Sequence, residues 1–125
     1  MPQHFPPERI ARIRASIDLE PEVTAEVLEV NDLADDAWEA LELSLDDQLA
    51  SDATRGEVEA LRAYDSAYVQ RLTEERGDLS RSELAALSVA FERGTEQAVL
   101  SDLRLPSDVA LRILRWWQAQ LESSE

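Results

Sequence analysis

Two stretches of this chain, "VLEVNDLADDAWEALELSLDDQLAS" from Val27 and "VLSDLRLPSDVALRILRWWQAQLES" from Val99, align without a gap at an offset of 72 residues. Val27 falls on Val99, Leu28 on Leu100, Leu33 on Leu105, Leu41 on Ile113, Leu45 on Trp117 and Leu49 on Leu121. Upstream, with two extra residues in the first copy, Ile10, Ile13 and Ile17 fall opposite Leu84, Leu87 and Phe91. An apolar phase held through three successive segments predicts a duplicated three-helix unit. Spacings of three and four recur within each segment, and no stretch alternates with period two long enough for a strand. The expectation is therefore an all-α single domain over residues 1–125, with about seven helices and no sheet. Its pseudo-repeats cover about 7–51 and 80–123, joined by a long middle helix at about 54–76.

Local signals place the helices. "FPPERIARIRASID" offers proline at the first helical position and an isoleucine stripe; "EPEVTAEVLEV" restarts at Pro21 and carries Val23 and Val27. "LADDAWEALELSLDDQLA" aligns Trp38, Leu41, Leu45 and Leu49, with Asp35 and Asp36 in the first turn, where the helix dipole favours them. The middle helix presents Val58, Leu61, Tyr68 and Leu72, and Gly77 is its expected terminator. Ser80 and Glu83 have capping-box spacing, flanked by Leu79 and Leu84 where a hydrophobic staple belongs. Gly94 is expected to end that helix, Thr95 to cap "EQAVLSDL", and Pro106 to begin the last helix.

Only three glycines and five prolines interrupt 125 residues, which agrees with helix throughout. The absence of cysteine excludes disulfides and thiolate metal sites and fits a cytoplasmic protein. No apolar run approaches the ~20 residues of a membrane span. The net charge is −15, and its distribution is uneven: Asp18 to Glu59 holds fifteen acids and one base, Arg55. All twelve basic residues are arginine. Such a bias arises from a GC-rich genome or salt adaptation, or else it marks a functional acidic face. On the second reading, Asp35, Asp36, Glu39 and Glu42 receive a protein partner bearing a basic patch.

The paired tryptophans need separate explanations, because neighbours on a helix point about 100° apart. Trp117 takes the core position of Leu45, and Trp38 stands opposite the small Ala110, a size exchange along one stripe. Trp116 stands opposite Ser44, and Leu111 opposite Glu39. Trp116 either widens the core stripe and packs on the middle helix, or anchors a partner together with Leu111 or Arg112. A homodimer through Trp116 is one form of the second case.

Catalytic constellations are scarce. The single histidine, His4, has no cysteine or second histidine for a zinc site, and no serine triad can form around it within one chain. Asp35–Asp36 and Asp46–Asp47 lack the glycine and alternating ligands of a calcium loop. Asp65 lies on the stripe of Leu61, Tyr68 and Leu72 and needs a partner, an arginine or a tyrosine hydroxyl. No metal or cofactor is expected, and the chain reads as non-enzymatic.

In "VLSDLRLPSDVALRIL", Val99, Leu103, Leu105, Ala110 and Ile113 occupy the buried positions of a helix-turn-helix, and this stretch resembles that motif of bacterial regulators. It departs at Leu100, where a small residue is usual, and at Arg104, where the turn usually has glycine. The resemblance implies DNA binding, with Arg104, Arg112 and Arg115 on phosphate; the acids of the first copy would repel the duplex, so nucleic acid is an unlikely partner. More loosely, the chain is similar to uncharacterised helical-repeat proteins of GC-rich Gram-negative bacteria, some encoded near secretion machinery. The function these features favour is an acidic protein-interaction module: an adaptor, chaperone or regulatory subunit. Its rival is a nucleic-acid mimic that inhibits a DNA-binding protein.

Overall fold

The three-and-four spacing is realised as seven α-helices. The computed structural model describes residues 5–107 and 109–123, and among these there is no strand. The order is α1 (Pro7–Leu19), a 3₁₀ turn (Pro21–Val23), α2 (Thr24–Val30), α3 (Asp35–Thr54), α4 (Glu59–Arg76), α5 (Arg81–Arg93), α6 (Glu96–Asp102) and α7 (Ala110–Ser123). His4 lies outside the described residues.

Among the described helix starts, α5 alone has a side-chain cap. Ser80 Oγ accepts from the Glu83 N–H at 3.1 Å, and Glu83 Oε1 accepts from the Ser80 N–H at 2.8 Å. Arg76 holds the other oxygen of Glu83 at 2.8 Å, tying the end of α4 to the start of α5. These donors hold the Glu83 carboxyl below its ordinary pKa, the Ser80 backbone first and Arg76 after it.

Three boundaries and one cap differ from expectation. Pro21 opens a 3₁₀ turn rather than α2, so Val23 becomes the residue before that helix. Thr95 occupies the N-cap position of α6 as expected, but its hydroxyl makes no capping bond and donates back to the Ala90 carbonyl at 3.4 Å. The first regular turn of α7 starts at Ala110, beyond Pro106. Finally, α3 runs on to Thr54, which delays the middle helix, α4, until Glu59.

Several backbone features recur at corresponding places in the two halves, although α3 has 20 residues and α7 has 14, and Phe91 and Leu121 of the aligned stripe are exposed. α1 and α5 are both 13 residues long, and α2 and α6 are both 7. After α2, the Leu33 N–H reaches the Leu28 carbonyl at 2.9 Å; after α6, the Leu105 N–H reaches that of Leu100 at 2.9 Å. Both are Schellman closures, and each needs one left-handed residue. Asp32 and Arg104 fill those places with φ 59°, 72 positions apart.

One core joins the units. α4 is its axis, packed most extensively along α1 and, on another side, against α7. Ala11 and Ala15 are wholly buried in α1, and Tyr68, Val69 and Leu72 in α4. In the second unit Leu87, Leu100 and Ile113 are equally inaccessible. Trp38 and Ala110, the large and small partners of the alignment, are both buried.

Candidate functional site

The longest helix, α3, buries only one edge. Trp38 and Leu45 are buried, with Leu41 and Leu49 packed partly against the core. The opposite edge follows from the same 100° step: Asp36, Glu39, Leu43, Asp46 and Asp47 face outward, and all are exposed. Leu43 is 67% exposed, a large apolar side chain ringed by four carboxylates. Among the described residues Asp35, Asp36, Glu39, Asp46 and Asp47 form no ion pair; Asp36 accepts only from the adjacent Ala37 N–H, at 2.9 Å. Other acids of the same segment are matched: Asp18 and Glu42 with Arg14, Asp52 and Glu57 with Arg55. Of the acids in this segment that form no ion pair among the described residues, five lie on α3, while Glu20, Glu22, Glu26, Glu29 and Glu59 are spread over the 3₁₀ turn and its approach, α2 and the start of α4.

Glu42 does not belong to that face. It is half-buried, turned toward Arg14 at 3.4 Å. Burial pushes its carboxyl pKa up, Arg14 opposes the shift, and Asp46 and Asp18 add to it. The same Arg14 guanidinium lies over the Trp38 ring at 5.6 Å, so Glu42 helps seat a buried aromatic rather than a partner.

Arg112 requires a similar correction. Its guanidinium stacks over Tyr68 at 4.5 Å and Tyr64 at 4.9 Å and lies 3.9 Å from Asp65. Arg115 completes the cluster with two bonds to Asp65, at 2.9 and 3.0 Å. Asp65 thereby finds the arginine its position demanded. It is 3% exposed, and burial raises its pKa while the Arg115 hydrogen bonds resist. Behind it the Tyr68 hydroxyl donates to Asp18; burial first, then that bond, pushes the tyrosine far above its ordinary pKa. Arg112 and Arg115 are therefore spent on α4, and of the three arginines that could have met phosphate only Arg104 remains exposed.

Trp116 and Trp117 are not divided into an outer and an inner ring. Both are half-buried and packed against the core. Trp116 forms one wall of a groove of about 540 Å³ between α4 and α7, opposite Ser66, Val69 and Gln70 and above Leu79. Trp116 thus packs partly against the core and faces α4 across a groove, which agrees better with the first of the two alternatives for that ring. Leu111 is 53% exposed, but it lies five residues from Trp116, on a different side of α7, so the two do not make one patch.

Leu43 escaped the sequence reading although its signal was present: five residues from Trp38, it lies about 140° off the core stripe. Among the described residues no helix is long and apolar enough to cross a membrane, and no group of three His, Asp or Glu side chains could hold a metal ion. No family model, no curated protein and no solved structure matches this chain.

Proposed function

We propose that this protein is a non-enzymatic interaction module, an adaptor, chaperone or regulatory subunit, that receives a basic protein surface on the outward face of α3. One observation carries the reading. The fold matches acids with arginines along α1, α4 and the end of α3, yet leaves Asp35, Asp36, Glu39, Asp46 and Asp47 without a cation around the exposed Leu43. Asp35 and Asp36 suit the first turn of α3, but like charges three and four residues apart weaken a helix, so the folding of α3 does not call for Glu39, Asp46 and Asp47. An apolar centre within a charged rim is the anatomy of a recognition patch.

The test is affinity capture from the native cell with the intact chain and with a variant carrying Asp35→Asn, Asp36→Asn, Glu39→Gln, Asp46→Asn and Asp47→Asn. Mass spectrometry should find a partner retained by the first and lost by the second, with an association rate that falls as salt is raised. Equal recovery by both would remove the face from consideration. Displacement of the captured partner by duplex DNA would reassign the carboxylates to nucleic-acid mimicry.

A further inference from the structure

α3 and α7 turn matching apolar stripes to the core, but only α7 has a helix on its second face. That face consists of Arg112, Arg115, Trp116, Ala119 and Glu122, and α4 occupies it. Arg112 stacks on Tyr64 and Tyr68, Arg115 grips Asp65, Trp116 and Ala119 adjoin Ser66, and Glu122 meets Arg62 at 3.2 Å. Seventy-two positions earlier the same places on α3 hold Ala40, Leu43, Ser44, Asp47 and Ala50. All five are exposed.

We propose that this strip of α3 seats a basic amphipathic helix of a partner protein, laid across it as α4 is laid across α7. The inference rests on reading α3 as the interaction face and adds the form of what docks there. The side chains suit a helix. Ala40, Ser44 and Ala50 are small enough for close approach, and Leu43 stands among them as an apolar knob. The charge selects the partner's sign. In the second unit the arginines are on α7 and the carboxylate, Asp65, is on the covering helix. On α3 the polarity is reversed: Asp36 and Asp47 lie in the strip, with Glu39 and Asp46 along its edge, so the covering helix must supply the cations. A second copy does not meet that requirement. Two α3 strips brought together would oppose like charges, and α4, the helix that performs this role internally, is already held between α1 and α7.

The experiment uses a fluorescein-labelled 18-residue peptide of Leu, Ala and Lys, with one apolar face flanked by lysines. Its control is a peptide of the same composition, scrambled so that no apolar face forms. Anisotropy titrations are run on the full chain, on Leu43→Ser and on a variant with Glu39→Gln, Asp46→Asn and Asp47→Asn; circular dichroism checks that each remains helical. The amphipathic peptide should bind roughly tenfold tighter than its control, Leu43→Ser should erase that preference, and neutralisation should weaken both peptides. Equal binding of the two peptides, indifferent to Leu43→Ser but lost on neutralisation, would overturn the helix seat and leave the acidic interaction face standing. Binding unchanged by either variant would overturn both. Sedimentation showing a dimer of the intact chain that Leu43→Ser dissolves would give the strip to a second copy and overturn the choice of occupant.

Discussion

Asp65 shows how a residue's environment decides what its neighbours are worth. Its carboxylate is nearly inaccessible, and a buried charge is tolerable only while it is bonded on several sides. Arg115→Met keeps the stem of the side chain but removes both hydrogen bonds, leaving Arg112 at 3.9 Å as the one near cation. At neutral pH this should destabilise the fold by about 2–3 kcal/mol, below the usual cost of breaking a buried pair because Arg115 is itself 37% exposed. The double variant with Asp65→Asn should recover part of that loss, since the buried carboxylate is gone while Arg112 loses its ion pair with Asp65 and keeps its stacking on Tyr64 and Tyr68. The pH dependence has a definite sign. The native state holds the Asp65 proton more tightly than the unfolded chain does. Its favourable contribution is therefore full below the unfolded aspartate value of about 3.9 and lost as pH rises through the raised native value. Without Arg115 that value rises further, so urea titrations should find the Arg115→Met deficit shrinking between neutral pH and pH 4. The tryptophans follow the same logic of exposure. With both rings half-buried, Trp116→Ala and Trp117→Ala should each cost about 2 kcal/mol, under the 3–5 typical of a fully buried ring. Chemical denaturation that spares Trp116→Ala would return that ring to the role of a surface anchor.

At the scale of elements, legibility depended on whether a signal was local. The capping box at Ser80 and Glu83 and the left-handed Gly94 were plain because one residue and its third neighbour settle the geometry. The starts of α2 and α7 were misplaced because proline favours the first position of a 3₁₀ turn, or of an extended approach, as readily as that of an α-helix. The Schellman closures at Asp32 and Arg104 were concealed by composition. α3 and α5 close in the same way on Gly56 and Gly94, whereas the two short helices use residues with a Cβ. Arg104 stands where a helix-turn-helix would carry glycine, and its φ of 59° is the conformation that glycine adopts without strain. Arg104→Gly should accordingly stabilise the protein by about 0.5–1 kcal/mol, the relief of the left-handed strain outweighing glycine's greater freedom in the unfolded chain. A lowered melting temperature would mean that the arginine makes up for its backbone. Ser80→Ala tests the opposite kind of end: loss of the cap should lower stability by about 1 kcal/mol. The candidate site was half-legible for a related reason. Acid placement on α3 follows from periodicity alone, but the inward turn of Glu42 and Arg112 depends on Arg14 and the two tyrosines, which come from α1 and α4.

Over the whole molecule, the charge imbalance and the correspondence between the two halves describe one asymmetry. Both halves feed a shared core along largely corresponding stripes, although Phe91 and Leu121 are exposed where Ile17 and Leu49 pack inward, and α4 covers the second face of α7 but not that of α3. α3 is left as a long helix packed along one edge, and it carries five carboxylates that form no ion pair among the described residues. If those carboxylates served the fold, removing them should harm it. They are instead arranged to repel: Glu39 lies four residues from Asp35 and three from Asp36, and Asp46 lies four from the half-buried Glu42. Like charges at these spacings destabilise a helix by a few tenths of a kcal/mol per pair, and salt screens them. Replacing Glu39 by Gln and Asp46 and Asp47 by Asn should therefore stabilise the domain by about 0.5–1 kcal/mol at low ionic strength. The gain should fade in molar salt, as thermal melts across a salt series would show. Under the proposed reading, a surface on α3 that costs stability has its compensation outside the chain, in a partner that brings the missing positive charge. Stability that fell on neutralisation would place the acids in the service of α3 itself and leave the protein without a charged docking face.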